Sequence, residues 1–327
     1  MATAEQLRAL LESHVAGDDE RFLALFLQVA AQASRQGQSK FASELIRLVD
    51  RAQERRAGRS EATAPVPIAQ PRGELSGLIG VSYPKALLSD LVLADDLRDQ
   101  LERILLEQRH REKLGARGLH ARRKILLIGP PGTGKTFTAT ALAGELHVPL
   151  FSVLLDGLMT KFMGEAAAKL RLVFDAVTRT RGVYFFDEFD GLGAERGNPN
   201  DVGEARRTLN SFLQMLEQDR SDSILLAATN HAGLLDRALF RRFDDIIHFE
   251  LPNANLAGHL MKARLALLGA KAIDWRAAAT AAKGLSHAEI VRACDDTMKE
   301  AILRDETDLT TPVLLSSLKR RKEARRK

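Results

Sequence analysis

Hydrophobic positions fall at helical spacing from the start of the chain. Leu7, Leu10, Leu11 and Val15 mark one amphipathic helix, Phe22, Leu25, Phe26 and Val29 a second, and Phe41, Leu45, Leu48 and Val49 a third. Gly17 can end the first helix and Asp18 can cap the second. Residues 1–57 are therefore expected to form a small all-α N-terminal bundle, and none of them suggests chemistry. The periodicity breaks over 58–75, where three prolines stand among small residues (GRSEATAPVPIAQPRG), the composition of an extended linker.

From residue 76 the pattern changes again. Lys124–Ile128, Leu150–Leu155, Val183–Phe186, Ile224–Ala228 and Ile246–Phe249 are short, apolar runs. Between them lie amphipathic stretches such as Thr136–Leu146 and Ala166–Thr178. Continuous apolar strands alternating with helices predict an α/β domain over 76–251, a parallel sheet covered on both faces. After Pro252 the strand signal stops, and 252–327 read as a C-terminal α-helical subdomain with a basic tail.

Composition adds boundaries. The chain has 327 residues, 45% of them hydrophobic, which is enough for a real core and excludes wholesale disorder. Its single cysteine, Cys294, excludes a disulfide framework and a four-thiolate zinc site. The first long apolar stretch, Phe22–Ala31, is too short to span a bilayer, so a cytoplasmic chain with no membrane partner is expected. The net charge of +5 is concentrated at one end. The last nine residues, KRRKEARRK, carry seven basic and one acidic side chain, and the rest of the chain sums to −1. A solvated terminus or a docking tail explains that run better than a nucleic-acid-binding body.

Chemistry enters at Gly129-Pro130-Pro131-Gly132-Thr133-Gly134-Lys135-Thr136. This fits G-x-x-x-x-G-K-[ST], placed between an apolar strand and a helix. Its glycines let backbone N–H groups face phosphates, and the helix N-terminus adds its dipole. Lys135 is expected to reach the β- and γ-phosphates, and the Thr136 hydroxyl to coordinate Mg2+. Further on, Val183-Tyr184-Phe185-Phe186-Asp187-Glu188 puts two acids at the carboxyl end of a buried strand. Asp187 suits the Mg2+ sphere and Glu188 the polarisation of an attacking water. Asp190 follows them without an assigned role.

In this order the motifs resemble an AAA-type ATPase of the AAA+ superfamily, in the branch of katanin, spastin and the membrane-anchored AAA proteases. The resemblance runs from about Ser89 to Glu300. It implies a P-loop AAA+ module, a five-stranded parallel sheet between helices with an α-helical lid. Asn230, ending Ala227-Ala228-Thr229-Asn230, matches the family's sensor 1 asparagine. Arg241 and Arg242, within Leu234–Asp244, match arginines that act as fingers on a neighbouring subunit's nucleotide. Lys161-Phe162-Met163-Gly164 resembles the aromatic pore loop of members that thread polypeptide. Gly203–Arg207 resembles the region after a second pore loop, and Gly284–Glu289 the sensor 2 region. Two departures stand out. His287 replaces a usual glycine, and Met261–Arg264 stand where relatives often carry a ribose-contacting histidine.

The resemblance implies ATP and Mg2+ as cofactors, a homo-hexameric ring and a protein substrate. It leaves room for an adaptor or a separate protease recruited through the N-terminal bundle or the tail. The chain has no H-E-x-x-H and no G-x-S-x-G. A nucleic-acid motor or loader is the rival reading, since it shares the phosphate loop and the acids. With one Trp and two Tyr, stacking platforms are scarce.

Overall fold

The apolar runs in the middle of the chain form a single sheet. Its strands are β1 (Ile79–Ser82), β2 (Lys124–Ile128), β3 (Leu150–Val153), β4 (Val183–Phe186), β5 (Ile224–Thr229) and β6 (Asp245–His248). A computed structural model describes residues 71, 73–158, 165–192, 199–231, 233, 237–266, 269–304 and 308–324. The chain divides into two compact units, Met1–Pro67 and Ile68–Lys327, and every described residue belongs to the second. The expected N-terminal bundle and most of the linker lie outside the described residues.

The strand order is β1-β3-β4-β5-β2-β6. Five strands run parallel, as expected. The sixth, β1, pairs antiparallel with β3 and covers an edge of the sheet. Its four residues, Ile-Gly-Val-Ser, are too short and glycine-weakened to stand out as a run. A second difference lies beyond Pro252, where β7 (Gly269–Ala272) and β8 (Asp308–Thr310) form a small parallel pair. Glycine in one and polar ends in the other hide them in the sequence.

Both faces of the sheet are buried because side chains alternate across it. Along β4, Tyr184 and Phe186 point into one core while Val183 and Phe185 point into the other. The first core is closed by α3 (Glu165–Arg179) and α4 (Pro199–Gln218), through Phe174 and Phe212. Phe186 and Phe212 meet edge to face with centroids 5.0 Å apart, and Phe189 packs on Phe212 at 4.7 Å. The second core is closed by α1 (Asp95–Arg109) and α2 (Lys135–Glu145), through Leu101, Ile104, Leu105 and Leu142.

The C-terminal subdomain has its own core, built by α5 (Ala254–Leu265), α6 (Trp275–Ala282), α7 (His287–Leu303) and α8 (Thr311–Ala324). Cys294 lies inside it, and burial pushes its thiol up to about 12, which leaves it protonated and inert. Helix α8 carries part of the basic tail. Arg320 and Arg321 pair with Glu300 and Asp296 of α7, so these two charges dock on the chain's own lid.

Candidate nucleotide site

In an open parallel sheet, ligands sit beyond the carboxyl ends of the strands. Strand β2 lies between β5 and the edge strand β6 and ends at Ile128, and the phosphate loop begins at the next residue, Gly129. The loop then enters α2 at Lys135. On the two strands nearest β2 on one side, β5 ends at Thr229 with Asn230 next, and β4 ends at Phe186 with Asp187 and Glu188 next. Chain topology thus brings three separate sequence motifs to one end of the sheet. Together they line a cavity of about 810 Å3, walled also by α5 and α7 of the lid.

Within it the Lys135 amine donates to the Gly129 and Pro130 carbonyls at 2.7 and 2.9 Å and to Asn230 Oδ1 at 2.7 Å. Burial lowers its pKa, while Asp187 and Asp190 oppose the shift. The amine is thus held over the loop by groups a phosphate can displace. Asp190 also accepts from the Thr229 hydroxyl at 2.9 Å, which ties the acidic turn to β5. Thr136 Oγ1 donates to Asp187 Oδ2 at 2.8 Å. Two hard oxygen donors in contact, beside a phosphate loop, suit Mg2+ sharing its shell with phosphate and water. Glu188 points no side-chain atom at any described partner, and its backbone N–H donates to Asp187 Oδ1 at 2.9 Å. Its φ of +49° is uncommon for a residue with a Cβ, and backbone strain of this kind clusters at functional sites. Thr133 faces inward instead, with its hydroxyl bonded to the Pro130 carbonyl at 2.8 Å.

The loop touches both subdomains. The N–H of Ala288 donates to the Gly132 carbonyl at 2.9 Å. Gly132 has φ +74°, and a Cβ there would lie 2.8 Å from Ser286 Oγ and 3.1 Å from the Ala288 Cβ. Gly132→Ala is therefore expected to lower stability by about 1–3 kcal/mol, read as a fall in melting temperature, and to weaken nucleotide binding. Unchanged melting and binding would show that this contact is dispensable. Gly129 has a different reason, since its Cβ would lie 2.2 Å from the Phe249 carbonyl oxygen.

His287 sits at the start of α7, after a capping box formed by Ser286 and Glu289. It lines the cavity, burial lowers its pKa against an opposing effect of the Val92 backbone, and neither ring nitrogen has a partner in good hydrogen-bond geometry. The imidazole fills space that a glycine would leave open. In the Met261–Arg264 segment, Met261 is buried in the lid core. Ala263 and Arg264 line the cavity, with Arg264 tied to Asp295 at 2.7 Å. One further wall, Asp90-Leu91-Val92, is not foreshadowed by any motif. It spans the end of a short 3-10 turn, Leu88–Asp90, and the two residues after it.

Arg241 and Arg242 are not part of this cavity. They precede β6, whose preceding residue Asp244 donates its N–H to the Lys124 carbonyl at the amino end of β2. The five residues of β2 separate them from the phosphate loop by roughly 15 Å. Arg242 pairs with Glu217 in the last turn of α4, and Arg241 is exposed. Lys161, Phe162, Met163 and Gly164 lie outside the described residues, between β3 and α3.

Comparison with known proteins shows the family. Residues 125–251 match the family model described as ATPase family associated with various cellular activities (AAA). The chain is 33% identical over 304 residues to the "Uncharacterized AAA family ATPase y4kL" of Sinorhizobium fredii, covering 93% of this chain and 90% of that protein. It is 35% identical over 221 residues to the "ATP-dependent zinc metalloprotease FtsH" of Parabacteroides distasonis, covering 65% of this chain and 32% of that protein. For "ATP-dependent zinc metalloprotease FtsH 3" of Sphaerobacter thermophilus the identity is 31% over 249 residues, 73% of this chain and 50% of that protein. The chain thus spans about a third to a half of the length of these two metalloproteases. No described helix is long and apolar enough to cross a membrane.

Proposed function

Because the chain belongs to the AAA family of ATPases and so hydrolyses ATP, we propose that it is a protein-remodelling motor whose active sites form between copies in a ring. One observation carries this reading. The phosphate loop, Asp187, Glu188 and Asn230 share a cavity at one end of the sheet, while Arg241 and Arg242 occupy the other end. A finger that far from its own nucleotide serves the next subunit's nucleotide. Head-to-tail contacts of that kind close into rings, and a homo-hexamer is the ring the family resemblance implies.

In this scheme the backbone N–H groups of residues 129–134 cradle the phosphates and Lys135 neutralises them. Thr136 and Asp187 hold Mg2+, which polarises the phosphates when bound. Glu188 accepts a proton from the attacking water, and Asn230 orients the water or a γ-phosphate oxygen. The neighbour's Arg241 and Arg242 stabilise the charge that spreads over the transferring group. The lid meets the phosphate loop at Gly132, so a change in the phosphates reaches α7 through one backbone contact. Hinge motion of the lid then moves the ring's inner loops.

The substrate is a polypeptide, gripped by Phe162 with Lys161, Met163 and Gly164 around it. A ring of aromatic side chains holds an extended chain without reading its sequence. An adaptor or a separate protease engages the N-terminal unit or the tail. Phe162→Ala is expected to keep basal ATP turnover within about twofold and to lose unfolding of a tagged test protein. Unfolding at the parent rate would refute threading and leave the ATPase assignment intact.

A further inference from the structure

Asp190 closes the acidic string after β4, yet it does not line the nucleotide cavity that Asp187, Glu188 and Asn230 share. Its carboxylate turns to the neighbouring strand instead. Asp190 Oδ1 accepts from the hydroxyl of Thr229, the last residue of β5, at 2.9 Å. Thr229 is fully buried, and its backbone and side chain reach three parts of the site. Its carbonyl accepts from the N–H of Gly129, the first residue of the phosphate loop, at 3.2 Å. Its hydroxyl donates to Asp190 and accepts from the N–H of His231 at 3.0 Å, so the turn that carries Asn230 closes on the same oxygen. Phosphate loop, acidic turn and the turn carrying Asn230 thus meet at Thr229.

On the other side of the bond, Asp190 belongs to a short turn that also sets Glu188. The Glu188 carbonyl accepts from the N–H of Gly191 at 2.8 Å, and Phe189 between them is buried against Phe212. The turn is therefore pinned at two successive residues, by Phe189 to α4 and by Asp190 to β5. Glu188, at φ +49°, immediately precedes those anchors. Among the described residues its side chain has no partner, so the backbone of this turn sets where its carboxylate stands. Asn230 is held from its own side, since its Oδ1 accepts from the Lys135 amine at 2.7 Å.

We propose that Asp190 is a positioning residue for ATP hydrolysis, which through the Thr229 hydroxyl fixes the placement of Glu188 relative to Asn230. The proposal rests on the roles given above to Glu188 and Asn230. Both must act on one water at the γ-phosphate, and a misplacement of about 1 Å in such a pair can cost about 10²-fold in rate. Asp190 itself stays out of the reaction. Its bond to Thr229 needs only an acceptor, whereas its support of the protonated Lys135 amine needs a charge. Asparagine keeps the first and removes the second, so the two roles are separable.

The test uses the full chain, with phosphate release under saturating MgATP and binding of a fluorescent ATP analogue. Asp190→Ala and Thr229→Val are each expected to lower turnover about 10- to 100-fold while affinity stays within about threefold. Both remove the same bond, so the double variant is expected to be no slower than the slower single one. Asp190→Asn keeps the acceptor and Thr229→Ser the donor, and each is expected to bring turnover to within about threefold of the parent. A loss of packing alone would lower turnover and affinity together and would not be rescued by asparagine. Should Asp190→Ala fail to fold, the contrast between Thr229→Val and Thr229→Ser decides. Glu188→Gln is the control for the site itself, since parent-level turnover there would remove the roles on which the proposal rests. With Glu188→Gln inactive, three results overturn the proposal alone: parent-level turnover in Asp190→Ala, effects that multiply in the double variant, or Asp190→Asn as slow as Asp190→Ala.

Discussion

Glu188→Gln is expected to bind ATP normally and to hydrolyse it about 10²–10⁴-fold more slowly. Glutamine keeps the size and the left-handed backbone turn but cannot take a proton. The geometry makes the effect specific. Glu188 lines the nucleotide cavity, and its side chain holds no structural contact whose loss would disturb the fold. Lys135, Thr136 and Asp187 remain as they are, so nucleotide affinity is retained. The measurement is paired: phosphate release under saturating MgATP, and binding of a fluorescent ATP analogue. Parent-level turnover in the variant would remove Glu188 from the reaction. The same variant, loaded with ATP and used as bait, is expected to keep its substrate in the ring, where it can be identified.

Arg242→Ala and Lys135→Ala are each expected to abolish turnover, by about 10³–10⁵-fold for the finger, and to recover activity when mixed. The single variants fail for different reasons. One lacks the group that stabilises a neighbour's transition state, and the other cannot hold its own phosphates. In a mixed ring, an intact phosphate loop meets an intact finger at about a quarter of the interfaces at equal ratio. Recovery at that level, measured as phosphate release across a series of ratios, places the finger in trans. No recovery at any ratio would sink the shared-site scheme. The Glu217 pair belongs in the interpretation, because it holds Arg242 when no neighbour's phosphate is there to compete.

Much of this site was legible in the sequence because its parts are local. A phosphate loop needs its glycines and lysine at fixed spacing, and the strand before it must be apolar. Asp187 and Glu188 were visible because four buried residues run directly into two acids. The main strands were legible for a related reason. Burial on both faces removes polar residues from the run, and β2, β4 and β5 are buried throughout. Other features depend on what lies next to what. Strand β1 is recognisable only by its partner β3, and β7 and β8 only by each other. The wall at Asp90-Leu91-Val92 owes its place to Leu91 packing into the second core and to Arg98 of α1 donating to the Leu91 carbonyl. No spacing rule reveals that Arg241 and Arg242 end far from the loop they resemble partners of. The aromatic loop around Phe162 is a reading of the sequence, and Phe162→Ala is its test.

The hydrogen bond from Ala288 to Gly132 links two backbones. No side chain makes it, so substitution at Ala288 leaves the donor in place and an alanine or cysteine scan of the lid would pass over it, whereas on the loop side Gly132→Ala reaches it only by crowding Ser286 and Ala288. Only a residue without an N–H at position 288 deletes the donor. Proline there is compatible with the first turn of a helix, so α7 need not break. From the lid side the link is therefore open to proline substitution and little else, and a lid screen that omits proline would miss it.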